Sequence, residues 1–318
     1  MSDSGWNTID SDAGVFTELV EKLGVKNIEF NDLYSIDSTT LSSLSPIHGL
    51  IFLFKYSKLD REYASKNEPI TGKYDPDYLS HQVFFANQTI QNACATQAVL
   101  NILFNLTSDG VELGDELGNF REFVNGFDSE MIGETISNSD LIRSIHNSFS
   151  TPHSFIDEDK NKDKKRDDDD DGRNDGLFHF VGYIWKNGTI YELDGLKQYP
   201  IIHDESCATK EEFVDRLPKI IQERIAKYGD ELRFSLLAVT NNKLNQAELL
   251  GDQEEVARQL HKRELWKREN ELRKHDYTGL IVELIKNISK EKNDDEWEEF
   301  LQTGRNKTQQ MIADSIRK

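Results

Sequence analysis

The chain has 318 residues, 36% of them hydrophobic and 30% charged, with 17 phenylalanines spread along it, which excludes wholesale disorder and allows one enzyme-sized core plus a smaller appendage. A formal net charge of -20 excludes broad nucleic-acid affinity, because phosphate backbones reward Lys and Arg, and suits a basic protein partner. Two cysteines, Cys94 and Cys207, are too few for a disulfide scaffold, and no segment reaches the roughly 20 apolar residues of a membrane span, so a protein of the cytoplasm and nucleus is expected.

Near the start, Ser11 or Asp12 can cap a helix through FTELVEKL, with Phe16, Leu19, Val20 and Leu23 on one face. GLIFLFKY at 49–56 is continuously apolar, as a central strand would be, and a polar loop is expected from Ser57 to Tyr78. ACATQAVLNILFNL at 93–106 suits a helix buried on most sides, which puts Cys94 in its first turn. Another helix is expected over 139–149, then a charged insertion at about 150–176 whose stretch from Asp157 to Asp175 has no apolar residue.

LFHFVGYIW at 177–185 and IYELD at 190–194 read as two antiparallel strands joined by the turn signal Asn187-Gly188. A helical region at 211–228 and a last core strand, ELRFSLLAVT at 231–240, close the first domain, taken as residues 1–241. From 242 to 318 the composition turns to Glu, Gln, Lys and Arg with spaced Leu, predicting a helical extension whose most apolar face carries Leu280, Ile281, Leu284, Ile285 and Ile288.

A cysteine in a helix's first turn sits near unpaired N–H groups and the positive end of the dipole, both of which favour thiolate. Cys94 is therefore the candidate nucleophile, against the alternative of a small buried hydrophobe. If Asn187 and Gly188 are the central turn residues, Lys186 faces Thr189, Asp194 falls opposite Val181, and His179 is its diagonal neighbour on the same face, close enough to meet it. His179 can then act as base and Asp194 as its orienter, unless the two are a purely structural pair. Gln88, six residues before Cys94, can offer an amide to a developing oxyanion, but Gln82, Gln91 and Gln97 compete with it on spacing. Cys207, in a polar stretch, reads as a plain exposed thiol, and the unspaced carboxylates of 167–171 have no ordered metal geometry; neither metal nor cofactor is expected.

FFANQTIQNACATQAVLNILFN, FHFVGYIWKNGTIYELDGLKQYPI and the opening WNTIDSDAGVFTELVEKLGV together resemble the papain-like ubiquitin C-terminal hydrolases. YTGLIVELIKNI after RENELRKHD resembles the helical tail of the longer, proteasome-associated members. The resemblance implies an α+β fold, an antiparallel sheet flanked by helices and followed by a helical C-terminal extension, with a crossover loop over the active site at about 150–176. It implies Cys94 as nucleophile, His179 as acid and base, Asp194 as orienter and Gln88 in the oxyanion hole. Ubiquitin and its conjugates are the implied partners in hydrolysis after ubiquitin's terminal glycine, and a proteasome ubiquitin-receptor subunit is the implied partner of residues 242–318. A transglutaminase-like or acyltransferase enzyme and a catalytically silent helical adaptor stand as alternatives.

Overall fold

The computed structural model describes residues 5–106, 111–150, 178–229 and 233–317, so the charged insertion expected at about 150–176 lies, from residue 151 on, outside the described residues. Asp12 accepts hydrogen bonds from the Gly14 and Val15 amides and starts α1 (Ala13–Lys22), which buries Phe16, Leu19 and Val20. β1 (Ile28–Asp32), α2 (Ser38–Ser43) and β2 (Ile47–Lys55) follow. The expected polar loop from Ser57 to Tyr78 instead holds α3 (Lys58–Ser65) and the short β3 (Lys73–Tyr74). Ser57 and Asp60 cap α3 reciprocally, so local hydrogen bonding makes a helix where no apolar periodicity announces one.

A 3-10 turn at Gln91–Ala93 leads into α4 (Cys94–Leu103), and α5 (Gly114–Phe123), α6 (Ser129–Asn138) and α7 (Asp140–Asn147) come next. β4 (Phe178–Lys186) and β5 (Thr189–Leu193) form the expected hairpin, with Lys186 opposite Thr189. Asn187 and Gly188 both have positive φ, 50° and 85°, the twist that a two-residue hairpin turn demands. β6 (Ile201–Asp204), α8 (Lys210–Ala226) and β7 (Phe234–Asn241) complete one antiparallel sheet of seven strands, ordered β1-β7-β2-β4-β5-β6-β3.

Side-chain alternation divides the apolar residues between two layers. Ile51 of β2 and Phe180 and Ile184 of β4 join the core with α1 and α4; Leu50, Phe52 and Phe54 of β2 and Val181 and Tyr183 of β4 join the core with α8. Two strand glycines let α4 lie close to the sheet: a Cβ on Gly182 would come within 2.8 Å of Ile102, and one on Gly49 within 3.0 Å of it. That close approach seats the C-terminal half of α4 on the sheet.

α9 (Lys243–Leu250) and α10 (Gln253–Lys274) belong to the same compact unit, so the domain boundary expected at Asn241 falls inside it. The sequence conceals this because α10 binds α1 and β1 largely through charge. Lys262 Nζ reaches Glu29 at 3.2 Å, Asn270 donates to Glu18 at 2.7 Å, Arg273 donates to Asp12 at 2.7 Å, and Arg263 pairs with Glu21. Trp266 alone supplies a large apolar contact, its ring lying where a Cβ on Gly14 would come within 2.6 Å. A second unit contains α11 (Thr278–Lys290) and α12 (Asp294–Arg317). α11 buries none of its residues, and Leu280, Ile281, Leu284, Ile285 and Ile288 are all exposed.

Candidate active site

The largely apolar α4 and the turn just after it carry an amide every fourth residue, Gln97, Asn101 and Asn105, and these clip an extended segment along the helix. Asn105 accepts from the Phe84 N–H at 2.8 Å and donates to the Phe84 carbonyl at 2.8 Å; Asn101 does the same for Ala86 at 2.9 and 3.2 Å. Gln97 donates to the Ala86 carbonyl at 3.0 Å. The backbone of 84–86 thus has partners without a neighbouring strand, and Gln88 is delivered beside the helix start. The i, i+4, i+8 amide spacing is the sequence signal for this clip, masked by the apolar content around it.

Cys94 is the first residue of α4 and only 9% exposed, and no side chain caps the helix. On β4, His179 donates from Nε2 to Asp194 Oδ1 at 2.7 Å, and Leu196 donates its N–H to the same oxygen at 3.0 Å. Cys94 lies close enough to the imidazole to help hold its proton, and with Nε2 bonded to Asp194 the nitrogen left over is Nδ1. Phe54 and Tyr56 present ring edges to His179 at 5.6 and 6.2 Å and hold its plane. The diagonal His179–Asp194 meeting expected from the hairpin register is therefore present.

Burial by itself pushes the His179 imidazole down, but Asp194 and then Cys94 outweigh it and hold the ring above its ordinary value. Burial likewise pushes the Asp194 carboxyl up, while His179, Arg224 and Lys197 outweigh it and hold the group well below the usual carboxylate range. An imidazolium between a carboxylate and a sulfur is the charge pattern that stabilises a thiolate.

Gln88 is half-buried, and its backbone N–H donates to the carbonyl of Gly195 at 2.8 Å, one residue past Asp194. Of its competitors, Gln97 has committed its amide to the clip and Gln82 is exposed. Cys207 is not the exposed thiol expected from its polar neighbours: it is fully buried in the core beside α8. Trp185 Nε1 donates to its carbonyl at 2.7 Å, drawing the loop onto the sheet, and burial pushes the thiol up to about 11, so it is a poor nucleophile.

His146 of α7 braces the same helix start. Its Nε2 donates to the Asn7 carbonyl at 2.7 Å, so in the neutral ring Nδ1 accepts from the Thr96 hydroxyl, also 2.7 Å away. Burial pushes it down to about 4. The unfolded chain takes up this proton near its ordinary value of about 6.5 and the folded one near 4, so stability is complete above that ordinary value and is lost as pH falls towards 4. Urea unfolding should therefore show about 2 kcal/mol lost between pH 7.5 and 5 that is missing in His146→Leu. Equal losses in the two proteins would remove His146 as the cause.

Residues 6–226 match the family model described as ubiquitin carboxyl-terminal hydrolase, family 1, and residues 253–293 match a second model, described as ubiquitin carboxyl-terminal hydrolases. The chain is 42% identical over 310 residues to ubiquitin carboxyl-terminal hydrolase 2 of Schizosaccharomyces pombe, an alignment covering 95% of this chain and 97% of the relative. It is 37% identical over 343 residues to ubiquitin carboxyl-terminal hydrolase isozyme L5 of Dictyostelium discoideum, covering 91% and 93%. Among solved structures it is similar to Trichinella spiralis UCH37 bound to ubiquitin vinyl methyl ester, with a TM-score of 0.60, 30% identity, and coverage of 85% of this chain and 99% of that one.

Proposed function

The chain belongs to family 1 of the ubiquitin carboxyl-terminal hydrolases and is a cysteine-type deubiquitinase, and on that footing we propose that Cys94, His179, Asp194 and Gln88 carry out its chemistry. The observation that carries the reading is the His179–Asp194 pair closing on Cys94 at the uncapped start of α4. Cys94 sulfur attacks the carbonyl carbon of ubiquitin's terminal glycine, and the oxyanion is held by a first-turn N–H of α4 and the Gln88 amide. His179 gives its proton to the leaving nitrogen as the carbon–nitrogen bond breaks, leaving a thioester. Water then attacks with His179 as base, the sulfur leaves, and free ubiquitin is released. Asp194 keeps the imidazole in one tautomer throughout.

The partners of this reading are ubiquitin and its conjugates, supported by the Trichinella spiralis relative bound to ubiquitin vinyl methyl ester. A proteasome ubiquitin-receptor subunit is the partner proposed for the extension of 242–318, and the exposed apolar face of α11 narrows the docking part to the residues after Lys274. Work at the proteasome would place the protein in cytoplasm and nucleus; among the described residues no helix is long and apolar enough to cross a membrane.

One experiment tests both halves. The full chain should release the fluorophore from a C-terminal ubiquitin amide and co-purify with proteasome regulatory particles. A chain ending at Lys274 should keep the first activity and lose the second. Absence of hydrolysis by the full chain would defeat the catalytic assignment, and undiminished capture of the shortened chain would defeat the docking assignment.

A further inference from the structure

Asn87 is bonded to three separate elements immediately before Gln88. Its backbone N–H donates to the Ser129 carbonyl at the start of α6, at 2.8 Å. Its carbonyl accepts from Gln97 of α4 at 3.4 Å and lies so close to α6 that a Cβ on Gly133 would come within 1.9 Å of it. Its side-chain amide donates to the Lys197 carbonyl at 2.7 Å and reaches the Gly195 carbonyl at 3.4 Å. That last loop is the one that begins at Asp194: Leu196 donates to the Asp194 carboxylate and Lys197 donates its N–H to the Asp194 carbonyl at 2.9 Å.

Two residues with different proposed roles therefore share one support. Gln88 hangs from the Gly195 carbonyl through its backbone N–H, and Asp194 is the residue before Gly195. Gly195 allows the approach, since a Cβ there would stand 3.1 Å from both Gln88 Cβ and Gln88 N. Without the Asn87 amide the 195–197 loop loses a side-chain tie to the extended segment that precedes α4, and the backbone bond from Gln88 to Gly195 fixes a distance more than an orientation.

We propose that Asn87 is a positioning residue that locks the Gln88 segment to the loop carrying Asp194, so that the oxyanion donor and the His179–Asp194 pair are held in one register. The proposal rests on the assignment of Gln88 to the oxyanion hole. Its physical content is that a donor must sit where the oxyanion will form, and a displacement on the order of 1 Å costs up to about 10²-fold in rate without weakening substrate binding.

The test is a double-mutant cycle on the full chain with a fluorogenic ubiquitin amide. Asn87→Ala should lower kcat on the order of 10-fold and leave KM within about 2-fold, and in the Gln88→Ala background the same change should cost less than about 2-fold, because there is no donor left to misplace. Asn87→Asp, of the same size but with a carboxylate facing two carbonyl oxygens, should repeat the kcat loss and serves if Asn87→Ala does not fold, as judged by urea unfolding. An unchanged kcat, or an equal loss in both backgrounds, overturns the proposal and leaves Asn87 a stability residue. If Gln88→Ala itself leaves kcat untouched, the oxyanion assignment falls, and the proposal falls with it.

Discussion

Cys94→Ala should hydrolyse a fluorogenic ubiquitin amide no faster than buffer while binding ubiquitin as tightly as the wild type. In the proposed mechanism the sulfur forms the covalent intermediate, so its removal should cost on the order of 10⁴-fold or more in kcat. Binding should survive because Cys94 is almost wholly buried and offers a partner little surface. Retained turnover would mean that another nucleophile works. Cys207 is the only other cysteine, and its burial and raised pKa make it unfit, so a ubiquitin-based electrophile that labels Cys207 in the folded protein would overturn the assignment.

The second large effect is on stability. Arg224 of α8 is fully buried and donates to Glu192 Oε1 at 2.5 Å; Tyr183 and His203 both meet Glu192 Oε2 at 2.9 Å, and Tyr228 links Arg224 to Asp60. Burial pushes the Glu192 carboxyl up, but Arg224 and His203 outweigh it and hold the group low, so the pair stays ionised inside the core. Glu192→Leu leaves a buried guanidinium without its carboxylate and should lower the unfolding free energy by about 3–5 kcal/mol. Adding Arg224→Met removes the stranded charge and should restore part of that loss, the remainder reflecting the unpaired Tyr183 and His203 groups. If Glu192→Leu costs under about 1 kcal/mol, or the second change deepens the loss, the ion pair does not have this role.

This network separates what a chain can be read for from what it cannot. Glu192 stands inside IYELD, and alternation alone assigns it a face, but its partner Arg224 is one of many basic residues in a mixed-charge helix. Nothing local marks that one as buried. The same holds for α10, whose interface with α1 and β1 is built largely from Lys262, Asn270 and Arg273 and so has the composition of a solvated helix. Cys207 fails for the converse reason: its polar neighbours suggest exposure, yet those neighbours bond to Asp204, Glu212 and Arg216 and Trp185 holds the Cys207 carbonyl, so that the thiol faces the core.

What the sequence determined by itself is whatever follows from short-range rules. The Asn187-Gly188 turn sets the β4–β5 register, the register puts His179 diagonal to Asp194, and the apolar run after Asn92 puts Cys94 at a helix start. Only the tertiary structure decided that Cys94 lies beside His179, that Gln97 commits its amide to the Ala86 carbonyl, and that the first unit runs to Lys274. These depend on long-range closures, in which hydrogen bonds and ion pairs select one partner among many chemically equivalent residues. Periodicity records which face a residue occupies, and contains nothing about which distant group completes its bonding.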